Sequence, residues 1–125
     1  MSGLADLSGH HILVVEDDYY LASDTARSLK EAGAHVLGPC STEEAARDKI
    51  RDAPLSAAVL DINLRGERSF ALAYELKARA IPFLFLSGYD QEVIPADFDG
   101  VALLQKPGEP RKIISALARM LGSDG

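Results

Sequence analysis

The 125-residue sequence contains no tryptophan and a single cysteine, Cys40. One thiol excludes an intramolecular disulfide, and with it the disulfide-stapled secreted scaffolds. No histidine is arranged to activate that thiol, so Cys40 reads as a small buried hydrophobe. Long apolar runs are missing too: nothing approaches the roughly 20 residues needed to span a bilayer. The start, MSGLADLSGHH, lacks the basic region followed by an apolar stretch that marks a secretory signal. Positive charge is scarce, with 13 Lys and Arg against 19 Asp and Glu and a net charge of −6. The cations form no stripe, so a nucleic acid would find no electrostatic footprint. Repeats, linkers and low-complexity segments are absent. The expectation is a soluble, reducing, cytoplasmic setting, with neither nucleic acid nor membrane as partner.

What the sequence does hold is ordinary globular material, 47% hydrophobic and 26% charged. A chain of this length is one domain, able to bury roughly two-thirds of its unfolded surface. HILVV (11–15) is a continuous apolar run, the pattern of a strand covered on both faces. Leu21, Ala22, Thr25, Ala26, Leu29 and Ala32 then recur at helical spacing, and Gly33 closes that helix. HVLG (35–38) is a second, edge-like strand, followed by Pro39. Ser41 and Glu44 form a capping box for a helix with Ala45, Ala46, Ile50 and Ala53 inward, which Pro54 ends. AAVLD (57–61) is the third strand, and Ser69 caps a helix with Phe70, Leu72, Ala73, Leu76 and Ala80 inward. PFLFLS (82–87) and VALLQK (101–106) are strands four and five. Pro110 opens a last helix striped by Ile113, Ile114, Leu117 and Leu121. Between strands four and five a short helix is the most that Pro95 and Gly100 allow.

Five alternations of strand and helix predict an α/β fold: a flavodoxin-like, doubly wound, five-stranded parallel sheet of order 2-1-3-4-5 with helices on both faces. Residues 1–9 are read as an N-terminal extension, 10–121 as the domain and 122–125 as a fraying tail. In such sheets ligands bind beyond the carboxyl ends of the strands, where strand order reverses. Strand one ends at Glu16-Asp17, strand three at Asp61, strand four at Ser87 and strand five at Lys106. In the predicted order all of these meet at one edge. Carboxylates about 5 Å apart repel by roughly 3 kcal/mol at an effective dielectric near 20. A divalent cation held by oxygens, Mg²⁺ above all, relieves that repulsion. With Lys106 as a fixed positive charge and Ser87 as a hydroxyl donor, the set describes phosphoryl transfer onto an aspartate.

ILVVEDD, VLDINLRGE, LSGYD and QKP, in that order and over essentially the whole chain, resemble the receiver domain of bacterial two-component response regulators. Each motif alone is weak; together, at the ends of the right strands, they are strong. The resemblance implies that Asp61 is the phosphoacceptor, charged by a histidine kinase or a histidine phosphotransfer protein. It implies that Glu16, Asp17 and Asp61, with the main-chain carbonyl of Asn63, bind Mg²⁺. By the same likeness Lys106 contacts the phosphoryl group, the Lys106–Pro107 bond is cis, and Ser87 is the switch hydroxyl. Phosphorylation would switch binding to a downstream protein target; the domain would not be an enzyme beyond catalysing its own phosphoryl transfer and slow aspartyl-phosphate hydrolysis. The stretch 101–121 would be an output or dimer face. PFLFLSGYD further resembles the FAT GUY subgroup, often stand-alone receivers, with Leu86 for its Ala and Ser87 for its Thr. The family's usual aromatic three residues before the lysine is Leu103 here, so Tyr89 is offered as a gate instead.

Blander assignments hold elsewhere. Asp18 caps the first helix, Glu67 is solvated, Arg65 and Arg68 are loop arginines, and His10-His11 marks a strand entrance rather than a metal site. Other functions compete as well. A pseudo-receiver would use the fold as a phosphate-independent interaction module. An aspartyl-intermediate phosphatase would carry a second Asp where Asn63 stands. An FMN carrier would need a hydroxyl-rich phosphate loop where three acids sit. The residues present hold no output domain, so the chain reads as a stand-alone regulator or relay, or as a piece of something longer.

Overall fold

The computed structural model describes residues 6–88 and 94–122. In chain order the elements are β1 (His11–Val15), α1 (Tyr19–Glu31), β2 (His35–Cys40), α2 (Glu43–Asp52), β3 (Ala57–Asp61), β4 (Asn63–Leu64), β5 (Glu67–Arg68) and α3 (Phe70–Ala78). Then come β6 (Phe83–Ser87), a 3-10 turn (Ala96–Phe98), β7 (Leu103–Gln105) and α4 (Pro110–Met120). The main sheet is parallel, in the order β2-β1-β3-β6-β7. Numbering only these five strands gives the predicted 2-1-3-4-5.

The unbroken apolar strands are explained by what lies on either side. Leu13, Val15, Leu60 and Phe85 enter one core with Ala46 and Ile50 of α2 and Leu72 of α3. Their neighbours Ile12, Val14, Val59 and Leu84 enter a second core with Leu29 of α1 and Leu117 of α4. With both faces covered, no position on β1 or β3 gains from a polar residue until the strand runs out. Leu7, ahead of β1, is also fully buried, and its N–H donates to the Ala32 carbonyl. Among the described residues no helix is long and apolar enough to cross a membrane.

Local details depart from the sequence reading. The cap of α2 is Thr42, whose hydroxyl accepts from the Ala45 N–H; the Ser41 hydroxyl instead accepts from the Arg65 guanidinium. Ser69 stands at the N-cap of α3 but makes no side-chain cap bond, because its buried hydroxyl donates to the Asp61 carbonyl at 2.6 Å. Ala80 lies beyond the end of α3, exposed and at φ 58°, so it has no place on the inward face. β2 runs on through Pro39 to Cys40, with a register shift against β1. The glycine-closed loop after β3 is a hairpin, β4 against β5, turned by Arg65 and Gly66 at φ 54° and 86°. Positive φ at both central positions is what a two-residue hairpin turn requires.

Leu84 is wholly buried at the centre of the second core. Leu84→Ala is expected to cost about 2–5 kcal/mol, measured as a lowered denaturant midpoint.

Candidate functional site

Order in the main sheet reverses at β1, which has β2 on one side and β3 on the other. Register then sets the rim. Val15 pairs with Leu60, Asp61 with Leu86, and Ser87 with Gln105, so the next residues of each strand emerge at a common level. Glu16 follows β1, Asp61 and Ser87 close β3 and β6, and Lys106 follows β7.

The carboxylates of Glu16, Asp17 and Asp61 each bring an oxygen within 4.8 Å of the others. Lys106 Nζ donates to Asp61 Oδ2 at 2.7 Å and to Glu16 Oε2 at 2.9 Å. Main-chain amides hold the rest. The Asn63 N–H donates to Asp61 Oδ1 at 3.1 Å, the Asp18 N–H to Glu16 Oε2 at 2.9 Å, and the Arg65 N–H to Asp17 Oδ2 at 2.8 Å. Glu16 and Asp61 are only 3% and 1% exposed, so water screens them poorly. Ser87 is equally buried, and its carbonyl accepts from the Lys106 N–H at 2.8 Å, tying hydroxyl and ammonium positions together.

One ammonium faces three acids, and the imbalance is felt. Burial pushes the Glu16 carboxyl up to about 7; the bonds from the Asp18 N–H and Lys106 oppose this, and the Asp61 charge adds to it. Burial would lower Lys106, but its bonds to Asp61 and Glu16 outweigh that and hold it above its ordinary value. Glu16 Oε1 is buried with no hydrogen-bond partner. An orphaned acceptor beside two more carboxylates is a donor set of oxygens alone, which fits a hard divalent cation such as Mg²⁺.

The predicted residues Glu16, Asp17, Asp61, Ser87 and Lys106 thus gather at one rim, with Asn63 on the hairpin beside Asp61. Tyr89 lies outside the described residues. Leu103 is 48% exposed on β7, and no aromatic stands in its place. Asp18 caps α1 by accepting from the Tyr20 and Leu21 N–H groups. The Lys106–Pro107 bond is cis. Two contributors went unforeseen. The Arg65 amide reaches Asp17 through hairpin geometry that side-chain identity does not encode. Ser69 anchors the Asp61 main chain; the only signal was a hydroxyl eight residues past the acid, which reads equally well as a cap.

No protein-family model matches the chain. The aerobic respiration control protein ArcA of Escherichia coli (strain K12) is 28% identical over 107 residues, 82% of this chain and 44% of ArcA. The chain therefore spans less than half the length of that curated relative. Among solved structures, SdrG from Sphingomonas melonis Fr1 is 32% identical with a TM-score of 0.64, over 94% of this chain and 98% of SdrG. The response regulator receiver domain protein (CheY-like) from Methanospirillum hungatei JF-1 shares the fold at 22% identity and a TM-score of 0.76, over 92% of this chain and 95% of that one.

A raised Glu16 pKa means that between about 4.5 and 7 the folded state holds a proton that the unfolded state has lost. That contribution to stability is present at low pH and disappears as pH rises through the window. Metal-free Glu16→Gln is therefore expected to gain stability relative to its parent from pH 4.5 to 7, read as diverging melting midpoints. A constant difference between the two would contradict the shift. Ser69→Ala is expected to cost about 1–3 kcal/mol, since it strips a buried carbonyl of its donor.

Proposed function

This chain belongs to the response regulator receiver (CheY-like) family of two-component signalling, and on that premise we propose that it is a phosphoacceptor that is switched by a phosphoryl group carried on Asp61. The observation that carries the reading is the arrangement of Lys106 between Asp61 and Glu16 at 2.7 and 2.9 Å, with Glu16 Oε1 left unpartnered beside them. A nucleophilic carboxylate, a fixed cation and spare oxygen ligands are what aspartyl phosphorylation requires and little else.

A histidine kinase or histidine phosphotransfer protein supplies the group as phosphohistidine. An Asp61 carboxylate oxygen attacks phosphorus, a P–O bond forms, and the P–N bond breaks with its electron pair left on the imidazole, which takes up a proton. Lys106 keeps its charge throughout and stabilises the negative oxygens of the moving group. Ser87 donates its hydroxyl to a phosphoryl oxygen once the acyl phosphate has formed. The Asn63 and Arg65 amides hold the Asp61 and Asp17 carboxylates in place. Glu16, Asp17 and Asp61, with the Asn63 carbonyl, would hold Mg²⁺. When bound, Mg²⁺ supplies positive charge to the crowded acids and to the transferring oxygens. Slow attack of water on the acyl phosphate returns Asp61 and inorganic phosphate, which ends the signal. A downstream protein reads the change, in the cytoplasm, where a reducing setting suits the free and buried Cys40.

The segment ending β6, Phe85-Leu86-Ser87-Gly88, together with Tyr89, supports a place near the FAT GUY subgroup. Ser87 keeps the hydroxyl that its Thr would supply. The likeness to SdrG, 32% identical, agrees with that placement.

Incubation with Mg²⁺ and acetyl phosphate is expected to add one phosphoryl group by intact mass, lost in Asp61→Asn, with Lys106→Ala slowed by roughly 10²-fold or more. Absence of any adduct would favour a phosphate-independent interaction module. Mg²⁺ at about a hundred times its dissociation constant is expected to stabilise the parent by about 2.7 kcal/mol in thermal melts and to leave Asp17→Asn nearly unchanged.

A further inference from the structure

The sequence has three histidines, His10, His11 and His35. His10 and His11 are neighbours along the chain and mark the entrance to β1, but the pair that forms in space joins two strands. In the parallel ladder His11 stands opposite His35, the first residue of β2. Their rings face each other nearly in parallel, with 12° between the planes and centroids 4.9 Å apart. That separation is close to the strand spacing itself, so register brings the two rings together. Among the described residues neither imidazole enters a hydrogen bond or an ion pair, which leaves nitrogen lone pairs unclaimed. His35 is exposed and His11 half-buried, so a hydrated ion reaches both.

Neutral imidazole is the commonest side-chain ligand for metal ions. Tetrahedral Zn²⁺ holds nitrogens at about 2.0–2.1 Å, which sets two of them roughly 3.3 Å apart. Rings that already face each other at 4.9 Å reach this by small side-chain rotations. We propose that His11 and His35 bind a divalent transition-metal ion, Zn²⁺ or Cu²⁺, which clasps the start of β2 to β1. The inference goes beyond the phosphoacceptor reading and does not rest on it.

Donor chemistry and place both separate this site from the rim. Imidazole nitrogens select Zn²⁺ and Cu²⁺ over Mg²⁺, whereas the rim offers oxygens. The length of β1 lies between them: five residues from His11 to Glu16 span about 16 Å. Among the described residues only the rim gathers three side-chain ligands, so at the histidine pair water fills the remaining positions. A clasp there has a structural consequence. β2 is an edge strand, and its register against β1 shifts between Leu13 and Val15. The regular part of the ladder is His11–His35, Ile12–Val36 and Leu13–Leu37. An ion bridging the first of these fastens the edge strand where it begins.

The test adds Zn²⁺ to untagged protein in calorimetry and thermal melts, with Mg²⁺ in excess throughout to compete at the rim. Zn²⁺ is expected to bind and to raise the melting midpoint. Substoichiometric Cu²⁺ is expected to broaden the amide signals of residues 10–12 and 34–36 before those of 61–66. His11→Gln and His35→Gln should each weaken Zn²⁺ binding by roughly tenfold or more, since each removes one of two protein ligands, while His10→Gln should leave it within about twofold of the parent. If His11→Gln misfolds by circular dichroism, the variant at exposed His35 decides. No Zn²⁺ binding, binding that survives the loss of His35, equal loss in His10→Gln, or broadening that begins at the rim would each overturn the inference.

Discussion

Everything at the rim depends on one ammonium shared between two buried carboxylates. Lys106 reaches Asp61 and Glu16 together, and in a place where water cannot screen them this is what makes their burial tolerable. The compensation is incomplete: Asp17 adds a third acid, and one oxygen of Glu16 is left without a donor. The pocket is therefore electrostatically unfinished, a charge pattern that a second cation would relieve. In the phosphoacceptor role proposed for it, Asp61 is oriented by its neighbours: Lys106 and the Asn63 amide each hold one of its oxygens.

Geometry around the acids comes from the main chain. The hairpin after β3 turns on Arg65 and Gly66, and the turn aims the Arg65 amide at Asp17. Ser69 reaches back from the start of α3 to the Asp61 carbonyl, and its own N–H donates to the Ile62 carbonyl. Together these bonds close the loop of residues 61–69 on itself. Carboxylates fastened in this way lose little further freedom when a ligand arrives, which is the physical content of preorganisation.

The architecture was legible because covered parallel strands must read as unbroken apolar runs, and HILVV, AAVLD and FLFLS do. The rim was legible because an acid that halts such a run has few reasons to be there; Glu16 and Asp61 announced themselves in this way. What escaped was local competition between equivalent hydroxyls. Ser41 and Thr42 are adjacent and both can cap, and only the path of the chain into α2 selects Thr42. Ser69 can cap or reach back, and the neighbouring Asp61 carbonyl decides. The hairpin was hidden because its strands are two residues each, too short for any periodicity. Helix α3 stops before Ala80 because the chain turns there at positive φ, which an alanine's apolar character does not signal.

The strand pairings carry a final implication. Asp61 and Leu60 occupy adjacent positions on β3, one completing the rim and the other filling the core, and β3 is locked between β1 and β6 by parallel ladders. Inserting a single residue upstream in that strand would carry Leu60 to the rim among the acids and Asp61 to the core position held by Ile62. Apolar substitutions of like volume can therefore drift through the interior while the rim keeps its geometry, whereas a change of length in β3 disrupts core and rim in one step.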